Sequence, residues 1–301
     1  VRLKVLITGG AGFLGAWICR RLSRRGDAIR IFDQAENRTT IAAIAGAEAA
    51  AACEWVIGDI VDGEAVAVAA RGCDAIVHLA GVLTLACKEN PVRGAQINLI
   101  GTLNVFEAAL RHGIGKVVYT SSAGAYGPQS GELPVPISHY GAFKLACEGS
   151  ARAYFADHGL SSIGFRPYVV YGPGRDSGLS AGPSLACRAA ARGEPYVFPY
   201  EGMAGLVYAG DVAAAYDSAL RHEGAGAHVF NMIGEQATPE DVIAELRRLA
   251  PDCNIRRGGA PMPSAAEITE GPLREVLADV PFTPLREGIA RTFAFYRDGS
   301  L

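Results

Sequence analysis

Short apolar runs alternate with longer stretches of helical spacing through the first half of the chain. Lys4 to Thr8 is an apolar run that stops at Gly9, and Trp17 to Ser23 resume with apolar positions at helical intervals. That spacing predicts strand, tight turn, helix. Runs at Ala28 to Phe32 (ending on Asp33), Glu54 to Ile57 (ending on Gly58-Asp59) and Ala75 to Leu79 (ending on Ala80-Gly81) predict three more strands, with alanine-rich helical stretches at 41–52 and 63–71 between them. A long amphipathic helix follows from Pro91 to His112, then a strand Lys116 to Thr120, a second long helix Tyr140 to Asp157, and a sixth strand Ser162 to Phe165. Strands that alternate with helices, without hairpin turn signals, pair in parallel through right-handed crossovers. The expected fold is α/β, a Rossmann-type doubly wound parallel sheet.

After Arg166 the texture changes. Gly172-Pro173-Gly174, Gly178, Gly182-Pro183, Gly193 and Pro195 punctuate short elements, and prolines crowd 258–284. We expect residues 1–166 to form a dinucleotide-binding domain and 167–301 a smaller, less regular substrate-binding region, some segments of which return to the first domain. No internal repeat or low-complexity linker separates the two.

Composition narrows the class. The 28 Lys+Arg against 31 Asp+Glu leave a net charge of −3, which argues against non-specific nucleic-acid binding. With 50% hydrophobic and 20% charged residues the chain has material for a packed core and lacks the signature of disorder. No apolar run reaches the length that spans a bilayer, since the alanine-rich stretch from Ile41 to Cys53 is interrupted by Glu48. The opening Arg2 to Ile7 is too short an apolar core for a secretory signal. Seven cysteines without a CxxC pair suggest buried thiols in a reducing compartment, neither a disulfide framework nor a metal site. The expectation is a soluble cytoplasmic protein. The unusual feature is 37 glycines in 301 residues, about 12% against an average near 7%.

Some of those glycines have a specific place. Thr8-Gly9-Gly10-Ala11-Gly12-Phe13-Leu14-Gly15 lies between the first strand and the first helix. A pyrophosphate approaches backbone only where side chains are absent, and a helix N-terminus then offers it free N–H groups. Gly9, Gly12, Phe13, Leu14 and Gly15 are therefore expected to contact a dinucleotide. Asp33, at the end of the second strand 24 residues after Gly9, would accept from the adenosine ribose hydroxyls and repel a 2′-phosphate, which favours NAD over NADP. Arg38, five residues further on, could serve such a phosphate instead.

A second constellation follows the fifth strand. Lys116 to Thr120 runs into Ser121-Ser122, and 18 residues after Ser122 comes Tyr140-Gly141-Ala142-Phe143-Lys144. Tyr and Lys four apart share a helical face. An ammonium beside a phenol favours the phenolate. Tyr140 is thus the expected acid–base group, with Ser122 donating to the substrate oxygen.

These motifs, taken in order, resemble the extended short-chain dehydrogenase/reductases, the NAD-dependent epimerase/dehydratase group. TGGAGFLG (8–15), HLAG (78–81), INLIGTLNVFEAA (97–109), VVYTSSAGAYG (117–127), YGAFKLACE (140–148), FRPYVVYGPG (165–174), VYAGDVAAAY (207–216) and HVFNMIG (228–234) carry the resemblance over most of the chain. It implies NAD as cofactor and the catalytic set Ser122, Tyr140 and Lys144. It also implies that Asp59 and Ile60 contact adenine and that Leu79, Ala80 and Gly81 line the cofactor. Asn98 would lie near the active site, Lys144 would also hold the nicotinamide ribose, and Pro167 and Tyr168 would back the nicotinamide. Members pair into homodimers through two helices that match those from Pro91 and Tyr140.

The sequence departs from the family at telling positions. Nucleotide-sugar members carry Asn three residues after the strand arginine, and an Arg seven before the acid of the later DVA block. Here those positions, counted from Arg166 and Asp211, are Val169 and Ala204. A pyrophosphate needs donors and positive charge, so both losses argue against a nucleotide sugar. Dehydratases follow the serine with Asp-Glu, where this chain has Ala123-Gly124. The segment from Ser122 to Tyr140 is also short, which suits a small pocket. Arg175 could hold a carboxylate or polyol through its planar fork, or be a loop arginine paired with Asp176. Tyr126, Tyr168 and His139 could face the pocket, where His139 could tune or relay protons, although a surface histidine is the expected reading. The expected function is an NAD-dependent oxidoreductase interconverting a secondary alcohol and ketone on a small polar substrate such as a sugar, sugar acid or hydroxy acid. A 4-epimerase using the same three residues is the alternative, and a catalytically silent NAD sensor is the alternative of another class.

Overall fold

The computed structural model describes residues 1–128, 130, 133–261, 268–277 and 279–301. Six apolar runs form the strands β1 (Lys4–Thr8), β2 (Ala28–Asp33), β3 (Glu54–Ile57), β4 (Ala75–His78), β5 (Lys116–Thr120) and β6 (Ser161–Pro167). They lie in the order β3-β2-β1-β4-β5-β6, and every neighbouring pair is parallel. Alternate side chains of the strands enter opposite cores. Val5 and Ile7 of β1 pack on one face with Ile31, Val77 and Phe165, while Leu6 packs on the other with Phe32, Ile76 and Val117. Burial on both faces explains why these strands are nearly continuous apolar runs.

A seventh strand, Ala227–Met232, adds to the outer edge of β6 in parallel register, with Phe230 opposite Phe165. It comes from beyond residue 167 and is not among the six strands the spacing predicts. At an edge only Phe230 and Met232 are buried, so the run carries His228 and Asn231 and lacks a continuous apolar pattern.

The helices differ from expectation at two points. The stretch 41–52 is two helices, Thr39–Ala45 and Ala47–Ala52, because Gly46 between them has φ 97° and breaks the hydrogen-bond ladder. The helix from Pro91 continues to Arg111 but passes through a π turn at Gln96–Ile100. The second long helix, His139–His158, is capped by the Ser138 hydroxyl, which accepts from the Gly141 N–H, and stops at Gly159 with φ 69°.

The remaining chain builds a three-stranded sheet in which Ala204–Tyr208 lies between Val169–Tyr171 and Glu235–Ala237. Helices Ala209–Arg221 and Leu285–Asp298 pack on it, and Gly182–Arg192 packs against the latter. All seven cysteines are free thiols, six of them buried. Among the described residues no helix is long and apolar enough to cross a membrane, and no three His, Cys, Asp or Glu side chains cluster as metal ligands.

Candidate active site

The strand order reverses between β1 and β4, and ligands of such sheets bind in the crevice outside the carboxyl ends at that point. The glycine turn sits there for steric reasons. Gly9 has φ +68°, and a Cβ on it would come within 2.7 Å of the Ala80 amide nitrogen. A Cβ on Gly15 would lie 2.3 Å from the Gly10 carbonyl oxygen, so the helix can start only if this residue is bare. Gly10, absent from the expected contact set, packs on Ile31 in the same way. The Phe13–Arg24 helix that follows has no side-chain cap and no acid in its first turn, leaving its N–H groups to an anion. This cradle fits the pyrophosphate of a dinucleotide.

Asp33 reaches into the same turn. Its carboxylate accepts from the Ala11 N–H at 3.0 Å and the Gln34 N–H at 2.8 Å, which fixes it beside the glycines. Arg38 does not face it, since it pairs with Glu36 at 2.6 Å and lies over Trp55. Asp59 is held by Arg93 at 2.7 Å, a partner that sequence reasoning missed, and this ion pair keeps its carboxyl below the usual carboxylate range. Ile60 is buried in the second core against Gly101.

Beyond β4, Leu79 and Ala80 close over Gly9, and Gly81 faces Asn98 and Lys144: a Cβ on Gly81 would be 2.6 Å from the Asn98 Oδ1 and 3.7 Å from the Lys144 Nζ. Asn98, in the π turn, is fully buried. Its Nδ2 donates to the carbonyls of Val82 and Gly94, both at 3.1 Å, so its amide pins the segment after Gly81. The π turn thereby supplies the site with a brace.

Behind these residues lies a chain of hydrogen bonds that the sequence reading did not include. Thr102 donates to the Asn98 carbonyl at 2.6 Å and so accepts from His78 Nε2 at 2.9 Å, while Thr8 donates to His78 Nδ1 at 2.7 Å. The network assigns His78 the neutral Nε2–H form. Complete burial, with the Lys144 charge adding to it, lowers its pKa to about 3.

The catalytic candidates come together on β5 and the His139–His158 helix. Ser122 Oγ accepts from the Gly124 N–H at 2.9 Å. A Cβ on Gly124 would touch both that Oγ, at 3.2 Å, and the Tyr140 ring, at 3.5 Å, so Ser122 and Tyr140 flank one bare backbone position. Lys144 is 4% exposed, lies 5.7 Å from the Tyr140 ring centroid and donates to the Thr120 carbonyl at 2.7 Å. Adjacent Ser121 donates to the buried Glu148, which receives Arg166 in a two-point ion pair. Glu148 stands two helical turns after Tyr140 on the same face, a periodicity that could have drawn attention to it.

The other candidate residues each have partners within the protein. Tyr126 is 8% exposed, and its hydroxyl is bound by Arg166 at 2.7 Å and Asn231 at 3.2 Å. It braces the wall in this structure. Pro167 is buried, and partly buried Tyr168 packs beside Tyr126 and Ile233. His139 is exposed and stacks on Phe143, so no relay to Tyr140 is built. Arg175 makes no ion pair with Asp176. Its Nη2 donates to the Ser180 hydroxyl at 2.7 Å, its guanidinium lies 5.7 Å over Phe13 of the glycine turn, and its Nε is buried without a partner. Burial lowers its pKa despite the electrostatic influence of Tyr140 and Tyr200. Val169 and Ala204 are each 2% exposed.

A doubly wound sheet with a glycine cradle at its switch point and Ser122, Tyr140 and Lys144 beside it defines an NAD-dependent enzyme of the extended short-chain dehydrogenase/reductase type. The chain belongs to the NAD dependent epimerase/dehydratase family, whose sequence profile matches residues 5–232. It is 30% identical to UDP-glucose 4-epimerase of Mycolicibacterium smegmatis, covering 99% of this chain and 100% of that protein. It is 32% identical to 2-alkyl-3-oxoalkanoate reductase of Stenotrophomonas maltophilia over 57% of this chain and 52% of that one. The crystal structure of Thermus thermophilus UDP-glucose 4-epimerase in complex with NAD superposes with a TM-score of 0.82 at 27% identity, covering 98% of this chain and 99% of that chain.

Proposed function

We propose that the protein interconverts a secondary alcohol and a ketone on a small polar substrate, a sugar, sugar acid or hydroxy acid, with net oxidation or reduction. The observation that carries this is the pairing of a complete Ser122, Tyr140 and Lys144 set with buried apolar side chains at Val169 and Ala204. A diphosphate would find neither donor nor charge at those two positions. Arg175, a largely buried guanidinium with an unpartnered Nε, favours an anionic or polyol group on the substrate.

The glycine turn of Gly9, Gly12 and Gly15 would hold NAD, which would supply the hydride-transfer chemistry. Ser122 orients the substrate oxygen by hydrogen bonding. Tyr140 takes the hydroxyl proton during oxidation and returns it during reduction. Lys144 holds positive charge one helical turn away, anchored through the Thr120 carbonyl. The neutral His78 adds no charge beside it. A 4-epimerase is the second reading, favoured by the full-length similarity to a UDP-glucose 4-epimerase. It would use the same three residues to oxidise and re-reduce one carbon.

Absorbance at the reduced-nicotinamide band separates the readings. With a panel of sugar acids and hydroxy acids we expect sustained, stoichiometric conversion of NAD. Inversion of UDP-glucose without net absorbance change would establish the epimerase instead, and NAD binding without chemistry on either set would establish a sensor.

We also read the chain as a homodimer. The Pro91 helix leaves Val92 71% and Ile100 44% exposed, an apolar face suited to a second copy. Light scattering should give twice the 31.5 kDa chain mass, and a monomer at micromolar concentration would contradict the assignment.

A further inference from the structure

The C-terminal end of the Phe13–Arg24 helix and the residue after it carry Arg20, Arg21, Arg24 and Arg25. At this spacing they form two like-charge i,i+4 pairs, which repel. One pair is compensated, because Arg21 and Arg25 both bind Asp217, which is 1% exposed. The other has no such partner: neither Arg20 nor Arg24 meets a side-chain carboxylate among the described residues. Arg20 lies 5.7 Å over the Trp17 ring and donates to the main-chain oxygens of Ile44 and Leu301, both at 3.0 Å. Burial and the neighbouring Arg24 charge lower its pKa. The negative end of the helix dipole favours basic residues here, but it does not explain why they border a cavity.

That cavity is a cleft of about 910 Å³ between this helix and the helices Ala209–Arg221 and Leu285–Asp298. Arg291 lines it together with Arg20 and Arg24, its guanidinium 5.7 Å over Tyr208. Five arginines line the cleft against two acids, in a chain whose net charge is −3. Neither acid is available to Arg20 or Arg24. Asp211 accepts from the Thr283 N–H and hydroxyl, and Glu287 pairs with Arg291. The arginines lie towards the opposite end of their helix from the glycine turn, ~10–17 Å along the axis.

We propose that this cleft binds a small polyanion carrying two or more phosphate groups, gripped by Arg20, Arg24 and Arg291 and separate from the catalytic crevice. Its volume is that of small-molecule sites, and three guanidinium groups lining one cleft from two helices suit phosphate oxygens better than isolated surface charges do.

Calorimetric titration of the NAD-saturated protein with inorganic tripolyphosphate tests it, at about 0.15 M salt so that diffuse attraction is screened. One saturable site per chain is expected. The Arg24→Ala/Arg291→Ala double variant should bind at least ~10-fold more weakly, since each lost charge-assisted hydrogen bond contributes more than the ~1.4 kcal/mol that a factor of ten represents. Its NAD affinity and thermal midpoint without tripolyphosphate should match the parent, which separates a lost site from a damaged fold. Absence of saturable binding to the parent, equal affinity in the variant, or equal affinity for single inorganic phosphate would each overturn the proposal.

Discussion

Tyr140→Phe is expected to lower kcat by a factor of about 10²–10⁴, the usual contribution of a positioned acid–base group, while leaving the dissociation constant of NAD nearly unchanged. The substitution removes one oxygen from a ring whose position is set by the helix around it. Gly141 packs against the Gly124 carbonyl, and Lys144 is tied to Thr120, so neither neighbour depends on the phenol for its place. Steady-state turnover together with a fluorescence titration of NAD reads both quantities. Full activity in this variant would remove Tyr140 from the chemistry and with it the proposed mechanism. Loss of NAD binding would show that the ring is a cofactor contact first.

A different substitution is expected to damage stability more than chemistry. Glu148 is fully buried, accepts from Ser121, and receives both Nε and Nη2 of Arg166, whose side chain is 12% exposed. Glu148→Leu leaves that guanidinium buried without its counter-charge, which costs about 3–5 kcal/mol. The urea midpoint should fall accordingly, and Glu148→Leu/Arg166→Leu should recover part of the loss because no lone charge remains. A midpoint for the single variant equal to that of the parent would show that Arg166 finds another partner. Tyr126 and Asn231 are the groups within reach.

What the sequence makes legible in this protein is what is contiguous. The glycine turn, the acid at the end of β2, and Tyr140 with Lys144 one turn apart are local patterns whose geometry follows from the element that carries them. Six strands and the parallel sheet follow in the same way from runs and crossovers. What escapes is pairing through space. Asp59 finds Arg93 across 34 residues, His78 joins Thr8 to Thr102 across 70 and 24, and Arg175 lies over Phe13 from the far side of the crevice. No spacing rule connects such partners. Asn98 and Tyr126 are instructive for the same reason, because their side-chain types suit a ligand contact and only the fold shows how fully their polar atoms are engaged by the protein itself. The seventh strand was hidden by its edge position, which lets half its side chains be polar.

That edge strand imposes an order on synthesis. β6 ends at Pro167 and its neighbour begins at Ala227, about sixty residues later, so a ribosome must deliver nearly half of the substrate-side region before the cofactor-side sheet can be completed. Until then the outer backbone groups of β6 stand open, a template for pairing with another nascent chain. A chain cut at the boundary between the two regions would carry that open edge permanently. The last hydrogen bonds of the cofactor-side sheet are thus supplied from beyond residue 167.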